Sequence, residues 1–487
     1  MLAAQMPRPL AALLGAVAVV GVAWALLLPP WQSPDENSHF GYAQTLAERF
    51  ELPGDEDRPI FSTEQNLAQN RSNSDQTAAQ PATKPEWSEQ AYERWQQAER
   101  RLGRSARSDG GGPNPAATNP PLYYLYGAPA YLAATGGDIF DRLYLMRLWS
   151  VVLLLVTTCA AWLVAGELFG RERPLQLVAA GVAGLQPMVA FLSSSVTPDA
   201  LLFAIWSLSF WLGVRIIKRG LRAPDAVALL LVVGLGVVTK ATSYALLPAA
   251  LLVLAVGVAR LGSARRRSAV AMASLALLAF VAPAGTWIAT AAVLDRPAVN
   301  EIATAPGRSS PTLTNFNVRE LGSYMWQFYL PRLPFQKRFE GMEELPAYNV
   351  WLKGGWARFG WLEVKFPEAV YVVLAGLTLA LLGGAAWALA RARRRIDWPL
   401  AAFFTITVLG LLAGLHWTEF RLLVSGQGPF NQGRYLLPLI SLMGVATAAT
   451  VSLLPARRRL TGVAVVLGGL FVLQAFSMAL VAGRFYA

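Results

Sequence analysis

The chain has 487 residues, 54% of them apolar and 15% charged, with 16 Trp and a mean hydropathy of +0.39. A soluble globular chain is about 25% charged, so this composition excludes a disordered protein, a nucleic-acid-binding tail protein and a single small domain. The net charge of +12 comes from 42 Lys and Arg against 30 Asp and Glu, and the basic residues cluster between apolar runs, as cytoplasmic loops of membrane proteins do.

Apolar stretches near the ~20 residues that cross a bilayer recur along the chain. They run at 10–28, 143–169, 175–194, 200–214, 242–259, 269–294, 368–390, 398–416, 435–454 and 461–482. A shorter one, 226–238, is separated from its successor by Thr239-Lys240-Ala241. The pattern predicts an all-α polytopic membrane protein, one domain over 1–487, with eleven transmembrane helices and a cytoplasmic N-terminus. That orientation places Arg8, Arg171/Arg173, Arg215/Lys218/Arg219/Arg222, Arg260/Arg265/Arg266/Arg267, Arg391/Arg393/Arg394/Arg395 and Arg457/Arg458/Arg459 on the inner side. Lys240, Arg421 and Arg434 fall on short outer connections. Arg8 and Ala23-Trp24-Ala25 imitate a signal peptide, but the first run of 19 residues exceeds the usual h-region and predicts a retained anchor.

Two long outer segments remain, 29–142 and 295–367. In the first, 62–83 and 105–118, with the triplet Gly110-Gly111-Gly112, read as mobile loop. Residues 86–107 read as a charge-laced helix with Trp87, Tyr92, Trp95 and Leu102 as its apolar members. The stretch 120–135 is apolar enough to span, but counting it would invert every later basic cluster. It is therefore read as an interfacial or re-entrant piece on the outer face.

No internal repeat is visible, which weighs against a secondary transporter. No ionisable residue falls near the middle of a span, which weighs against a pump. The single Cys159 excludes an intramolecular disulfide. His39 and His416 alone cannot make a histidine-rich metal site. Polar groups gather where spans meet the outer segments, and the chemistry is expected there.

The first span leads into Trp31-Gln32-Ser33-Pro34-Asp35-Glu36-Asn37-Ser38-His39-Phe40. Ser33 as N-cap, Pro34 at the first helical position and Glu36 three residues after the cap make a capping box, a purely structural reading. The same geometry serves chemistry. A carboxylate held at a helix start can take the proton of an incoming hydroxyl, a role worth ~10²–10⁴ in rate. Asp35 is the candidate base. Glu36 and His39 are candidates for positioning the acceptor, with His39 one turn along on the same face. Asp35 and Glu36 are also the candidates for a divalent ion, Mg²⁺ or Mn²⁺, should one be used.

This beginning resembles the GT-C superfamily of membrane glycosyltransferases, which includes the protein O-mannosyltransferases and the lipid A aminoarabinose transferases. It is most similar to a largely uncharacterised bacterial family of polytopic membrane proteins in that clan. The resemblance is carried by 34–40 (Pro-Asp-Glu-Asn-Ser-His-Phe), Pro120-Pro121-Leu122-Tyr123-Tyr124, Phe359-Gly360-Trp361 and 432–438 (Gln-Gly-Arg-Tyr-Leu-Leu-Pro). Weaker matches are Arg147 and Pro198-Asp199. Asn119 departs from the pattern, since relatives often carry His there.

The resemblance implies transfer of a sugar, with inversion, from a polyprenyl-phosphate donor to a hydroxyl of an extracytoplasmic glycan, lipid or protein. It implies an active site on the outer face of a bacterial inner (cytoplasmic) membrane, among membrane lipids and without nucleic acid. Such a donor needs a cation beside a groove between spans. Arg434, next to Tyr435, is the first candidate because Arg grips phosphate with a bidentate fork. Lys240 is the second, and Arg358, Lys353 and Arg147 follow. Asp199 is a candidate for a sugar hydroxyl or an ion, and Tyr123 and Trp361 enter with their motifs. Trp326, Trp351, Trp356 and Trp361 fit an interfacial belt or a sugar-stacking face. No Gly-rich nucleotide loop is present. Two alternatives stay open: a flippase or exporter of lipid-linked sugar, and a non-catalytic component of an envelope-polymer complex. The transferase reading requires Asp35 and Arg434 to converge on one pocket.

Overall fold

The computed structural model describes residues 6–261, 266–298, 317–393 and 396–487. Arg265, Arg394 and Arg395 of the basic clusters and 299–316 of the second outer segment lie outside the described residues. Among the described residues the regular structure is helical, with one isolated bridge between Phe359 and Val364.

Helix α1 (Arg8–Leu27) leads into a lobe of short helices, α2 (Glu36–Arg49), α3 (Thr63–Arg71), α4 (Ser74–Ala79), α5 (Glu89–Glu99) and α6 (Leu122–Ala133). The bundle continues with α7 (Ile139–Leu168), α8 (Arg173–Leu185), α9 (Pro187–Ser193), α10 (Pro198–Arg219), α11 (Ala223–Val237), α12 (Leu246–Arg260) and α13 (Arg266–Val293). A second lobe holds α14 (Val318–Tyr329) and the single turn α15 (Gly354–Trp356). Helices α16 (Glu368–Arg391), α17 (Trp398–Val424), α18 (Ile440–Ser452) and α19 (Arg459–Tyr486) close the chain.

All eleven apolar runs are helical. Among the described residues, nine helices are long and apolar enough to cross a membrane, and the pair α8/α9, bent by 58°, makes a tenth if it is counted as one span. The bend follows from Pro187, which pushes Gln186 into an extended conformation at φ −67° and ψ 127°. The Gln186 side chain fills the break, accepting from Val189 N–H at 2.7 Å and donating to Gly355 O at 2.6 Å. The eleventh, α11, has 15 residues, about 22 Å of helix, shorter than the hydrocarbon core. Helix α6 has 12 residues, about 18 Å, too short to cross.

The 30-residue α7 runs through the middle of the bundle, packed on α1, α6, α8, α10 and α18. Polar pins cross the apolar core: Trp24 Nε1 donates to Gln474 Oε1 at 2.7 Å, and Gln474 donates to Leu185 O at 3.0 Å. At one end, ion pairs tie basic clusters to neighbouring loops. Arg219 meets Glu167 at 2.7 Å, Lys218 and Arg260 share Asp397 at 3.6 and 3.7 Å, and Arg459 meets Glu172. These clusters therefore gather at a common end. Asp199, at the other end of the 22-residue α10 from Arg219, lies about 30 Å away.

The first lobe departs from expectation. Residues 63–71 and 74–79, read above as loop, are helices. Ser62 caps α3 by accepting from Gln65 N–H at 3.1 Å. The lobe closes on a buried ion cluster in which Arg142 donates to Glu64 at 2.6 Å and Arg107 donates to the same carboxylate at 3.1 Å. The glycine triplet, also read as loop, is packed: a side chain at Gly110 or Gly112 would run into the backbone of Ser62 or Arg58. The helix expected over 86–107 is confined to α5, capped by Ser88.

The capping box is absent too. Asp35 precedes α2 with φ 60° and ψ 11°, makes no side-chain cap, and leaves Ser33 Oγ without a hydrogen-bond partner among the described residues. Glu36, expected to position an acceptor or an ion, is instead buried against Arg147. Their two hydrogen bonds measure 2.8 and 2.5 Å, and Glu36 also accepts from Val196 N–H at 3.0 Å. Arg147 completes its fork on the carbonyls of Ala25, Leu28 and Pro29. Both side chains are fully buried, so the pair is a structural bolt joining α1, α2, α7 and the start of α10.

Removing one partner of such a pair strands a charge, which costs about 3–5 kcal/mol. Arg147→Ala is expected to lower the melting temperature of the detergent-purified protein sharply. The double change Arg147→Met with Glu36→Gln should recover part of the loss; a recovery of zero contradicts this role.

Candidate functional site

Asp35 owes its direction to the left-handed backbone. Asp tolerates that region better than most residues, and the turn swings its carboxylate away from the helix that follows. Arg434 Nη2 donates to Asp35 Oδ2 at 2.9 Å across 399 positions of sequence. Arg434 Nε lies 3.9 Å from Asp199 Oδ2, and Lys240 Nζ donates to Asp199 Oδ1 at 2.5 Å. Two acids and two bases thus form a chain of alternating charge, Asp35–Arg434–Asp199–Lys240.

Each member is delivered by a different break between helices. Asp35 ends the α1–α2 connection, and Asp199 sits in the first turn of α10 behind its N-cap Thr197. Lys240 lies just before the 3₁₀ turn Ala241–Ala245, and Arg434 lies in the 3₁₀ turn Gly433–Leu439 that leads into α18. Tyr435 covers the cations, its ring centroid 5.4 Å from Lys240 Nζ and 5.6 Å from the Arg434 guanidinium.

These groups open on a cavity of about 710 Å³. Its polar end holds Asp35, His39, Asn119, Asp199, Lys240 and Arg434. The apolar part of its lining is Pro248 from α12 and Gly410, Leu411, Gly414 and Leu415 from α17, with Ala245, and Thr242, Tyr244, Trp417 and Thr418 come from the same two segments. A side chain placed at Gly414 would meet open space. Pro115, Ala116 and Thr118, with Asn119 after them, form part of the wall, so the end of the expected loop belongs to the site.

Burial works to raise the Asp35 carboxyl, but the charge and hydrogen bond of Arg434, with Lys240 behind them, outweigh burial and hold it below the usual range. Asp35 is ionised at neutral pH. Burial has the larger hand in His39 and lowers it to about 4, so the ring is neutral. Asn119 donates to the Tyr124 oxygen at 3.2 Å, and the Tyr124 hydroxyl meets His39 Nδ1 at 2.9 Å. Burial keeps that phenol protonated. Which of Tyr124 and His39 donates in their contact is set by the His39 tautomer.

Several sequence candidates sit elsewhere. Glu36 and Arg147 form the bolt described above, outside the cavity. Tyr123 is a buttress: its hydroxyl meets Ser150 Oγ at 2.9 Å and accepts from Thr197 N–H at 2.9 Å, behind Asp199. Trp361 donates to Trp31 O at 3.0 Å and joins the second lobe to the first. Lys353 pairs with Glu368 at 2.8 Å. Arg358 lines a smaller cavity on another side of Arg434. Asp35 and Glu36 do not converge on an ion, and among the described residues no group of three His, Cys, Asp or Glu is placed to hold a metal.

Sequence reasoning missed the groove. Its signal was the spacing of Gly410 and Gly414, four apart on one face of a span, which ordinarily reads as helix packing. It also passed over Tyr124, whose motif was noted but whose hydroxyl could not be directed at His39 without the fold.

Residues 18–443 match the family described as predicted membrane protein (DUF2142), and the chain belongs to that family. No curated protein matches. Among solved structures, ArnT from Cupriavidus metallidurans bound to undecaprenyl phosphate is 14% identical, with a TM-score of 0.48 over 94% of this chain and 63% of that one. ArnT from the same organism in the apo state is 12% identical, with a TM-score of 0.47 over 94% of this chain and 62% of that one. The chain spans less than two thirds of the ArnT chains it matches.

His39 gives this site a stability signature. It titrates near 4 when folded against 6.5 for an ordinary His, so between those values the unfolded chain binds the extra proton. Its contribution to stability is complete above pH ~6.5 and is lost as pH falls toward 4, with a slope of at most about 1.4 kcal/mol per pH unit. His39→Gln should flatten the melting temperature over that window, while an unchanged slope would mean that His39 is not held neutral.

Proposed function

We propose that this member of the DUF2142 family is a membrane glycosyltransferase of the GT-C type, moving one sugar from a polyprenyl-phosphate donor to a hydroxyl acceptor. The observation that carries this reading is the amphiphilic cavity. Four charged side chains from distant parts of the chain meet at one end of it, and an apolar groove between α12 and α17 extends from them. A polyprenyl phosphate has that same division, an anionic head on an apolar tail.

In this reading Arg434 and Lys240 hold the phosphate. Arg434 carries five N–H donors, and its Nε has no hydrogen-bond partner among the described residues. A ligand can therefore share the guanidinium with Asp35. That sharing weakens the hold of Arg434 on Asp35 and raises its basicity when the donor is bound. Asp35 takes the proton of the acceptor hydroxyl as the acceptor oxygen bonds to the anomeric carbon. The bond from that carbon to the phosphate oxygen breaks, and its electron pair stays on the phosphate. Attack from the face opposite the leaving group inverts the sugar. The growing phosphate charge is met by cations already in place, which is where a fixed site lowers a barrier. His39 offers a neutral N–H donor to the acceptor.

The basic clusters support a cytoplasmic N-terminus and an outward-facing site. They lie at the bundle end remote from Asp199, and a positive excess marks the cytoplasmic side. The bacterial inner membrane is the corresponding location.

The test uses purified protein, a radiolabelled polyprenyl-phosphate-linked sugar, and membranes lacking this protein as acceptor source. Asp35→Asn is expected to cut transfer by ~10²–10⁴ while donor still binds. Transfer at the wild-type rate overturns the assignment. Movement of lipid-linked sugar across vesicles, undisturbed by Asp35→Asn and without any transfer, is what a flippase would give.

The groove makes a separate prediction. Gly414→Phe fills open space beside the tail path. It should raise the KM for a long-chain donor at least tenfold and change kcat little. A KM unaltered in that variant places the tail elsewhere.

A further inference from the structure

Arg434 lines a second cavity, of about 160 Å³, that shares Phe430, Gln432 and Arg434 with the first. Its wall comes from the second lobe and the α17–α18 connection, and includes Arg358, Glu419, Met342 and Val350. None of the chemistry described so far uses it.

Its size is specific. A protein cavity of ~150 Å³ accepts one benzene ring, so this one, continuous with the first at its shared wall, takes at most a single six-membered ring. The charges of its lining are already met: Arg434 pairs with Asp35 at 2.9 Å, Arg358 lies 4.0 Å from Glu343, and Glu419 accepts from two backbone N–H groups. The arrangement favours a neutral ligand.

Its polar atoms wait for partners. Arg358 Nε and Gln432 Oε1 are buried and have no hydrogen-bond partner among the described residues, while Arg434 Nε is turned toward Asp199 at 3.9 Å. Buried polar atoms are nearly always satisfied, so such a pair calls for an explanation. One is a donor and the other an acceptor. A hydroxyl is both, and a ring carrying several hydroxyls can satisfy the two. Met342 and Val350 offer the C–H surface such a ring also needs. Glu419 is fixed in place, its Oε2 accepting from the N–H of Phe430 and Asn431 at 2.6 Å each, so the wall is pre-formed.

We propose that this cavity seats the sugar ring of the donor, a single neutral monosaccharide. The inference rests on the donor reading above, since Arg434 at the shared wall would then touch the phosphate from one cavity and the sugar bonded to it from the other.

The experiment measures the affinity of detergent-purified protein for decaprenyl phosphate, bare and carrying single sugars. The panel has neutral hexopyranoses and pentopyranoses and, as the charged member, glucuronic acid. At least one neutral sugar should tighten binding tenfold or more over the bare lipid, and glucuronic acid should not. Val350→Phe, which fills the cavity, and Arg358→Gln, which removes a donor, should each erase that gain and leave bare-lipid affinity within twofold. Melting temperatures identify any variant that fails to fold, and the other variant then decides. The proposal is overturned if no neutral sugar tightens binding, if the gain survives both changes, or if bare-lipid affinity falls in step with it. Failure of the wild type to bind bare decaprenyl phosphate is a different result: it removes the donor reading itself, and this subsite with it.

Discussion

Charge pairing at the polar rim of the bundle dictates where the rest of the chain must go. Asp199 and Arg434 are 3% and 7% exposed in their side chains, and a buried charge without a partner costs several kcal/mol. Each must therefore find an opposite charge. Asp199 finds Lys240, which comes from the break before α12. Arg434 finds Asp35, which comes from the break after α1. The bundle cannot place α10 and α18 without also drawing in the first connection and the α11–α12 turn. The cavity is what remains between those four arrivals.

Neighbouring acids do opposite work for a backbone reason. Glu36 is the first residue of α2 and points into the bundle, where Arg147 neutralises it. Asp35, one residue earlier and left-handed, points into the cavity. A second buried pair, Glu64 with Arg142, secures the far part of the lobe to α7. With α2 held at its start by one arginine of α7, and the lobe around it by another, the Asp35 carboxylate has little freedom relative to Arg434. A reacting group gains most from being held near its working position.

The spans were legible because hydrophobic length is a one-dimensional signal. Each of the eleven runs became helical, although 175–194, read as one span, is broken before Pro187. The first lobe was not legible. Helices α3 and α4 have 9 and 6 residues, too short to show a period, and they owe their stability to burial around Glu64, which local sequence does not announce. The capping box failed for a related reason. Ser33, Pro34 and Glu36 satisfy the local pattern, but Glu36 gains more from a buried arginine 111 positions away than from a helix end. The contact of Asp35 with Arg434 lay beyond periodicity altogether. Family resemblance suggested it and the coordinates contain it, while nothing in the spacing of the two residues requires it.

Of the two acids at the rim, Asp35 suits the role of base and Asp199 does not, on the proposed reading. Asp199 is bound directly to Lys240 and its side chain is 3% exposed, so it offers an acceptor hydroxyl far less surface than Asp35 does. Its charge instead helps hold both cations in place when the site is empty. Asp35 is 37% exposed and bound through a single nitrogen of Arg434. It is the one acid of the set that is both open to the cavity and tied to a cation the donor would also use. Its ionised state in the empty site and its rise in basicity on donor binding would then have one cause, the competition of two anions for one guanidinium.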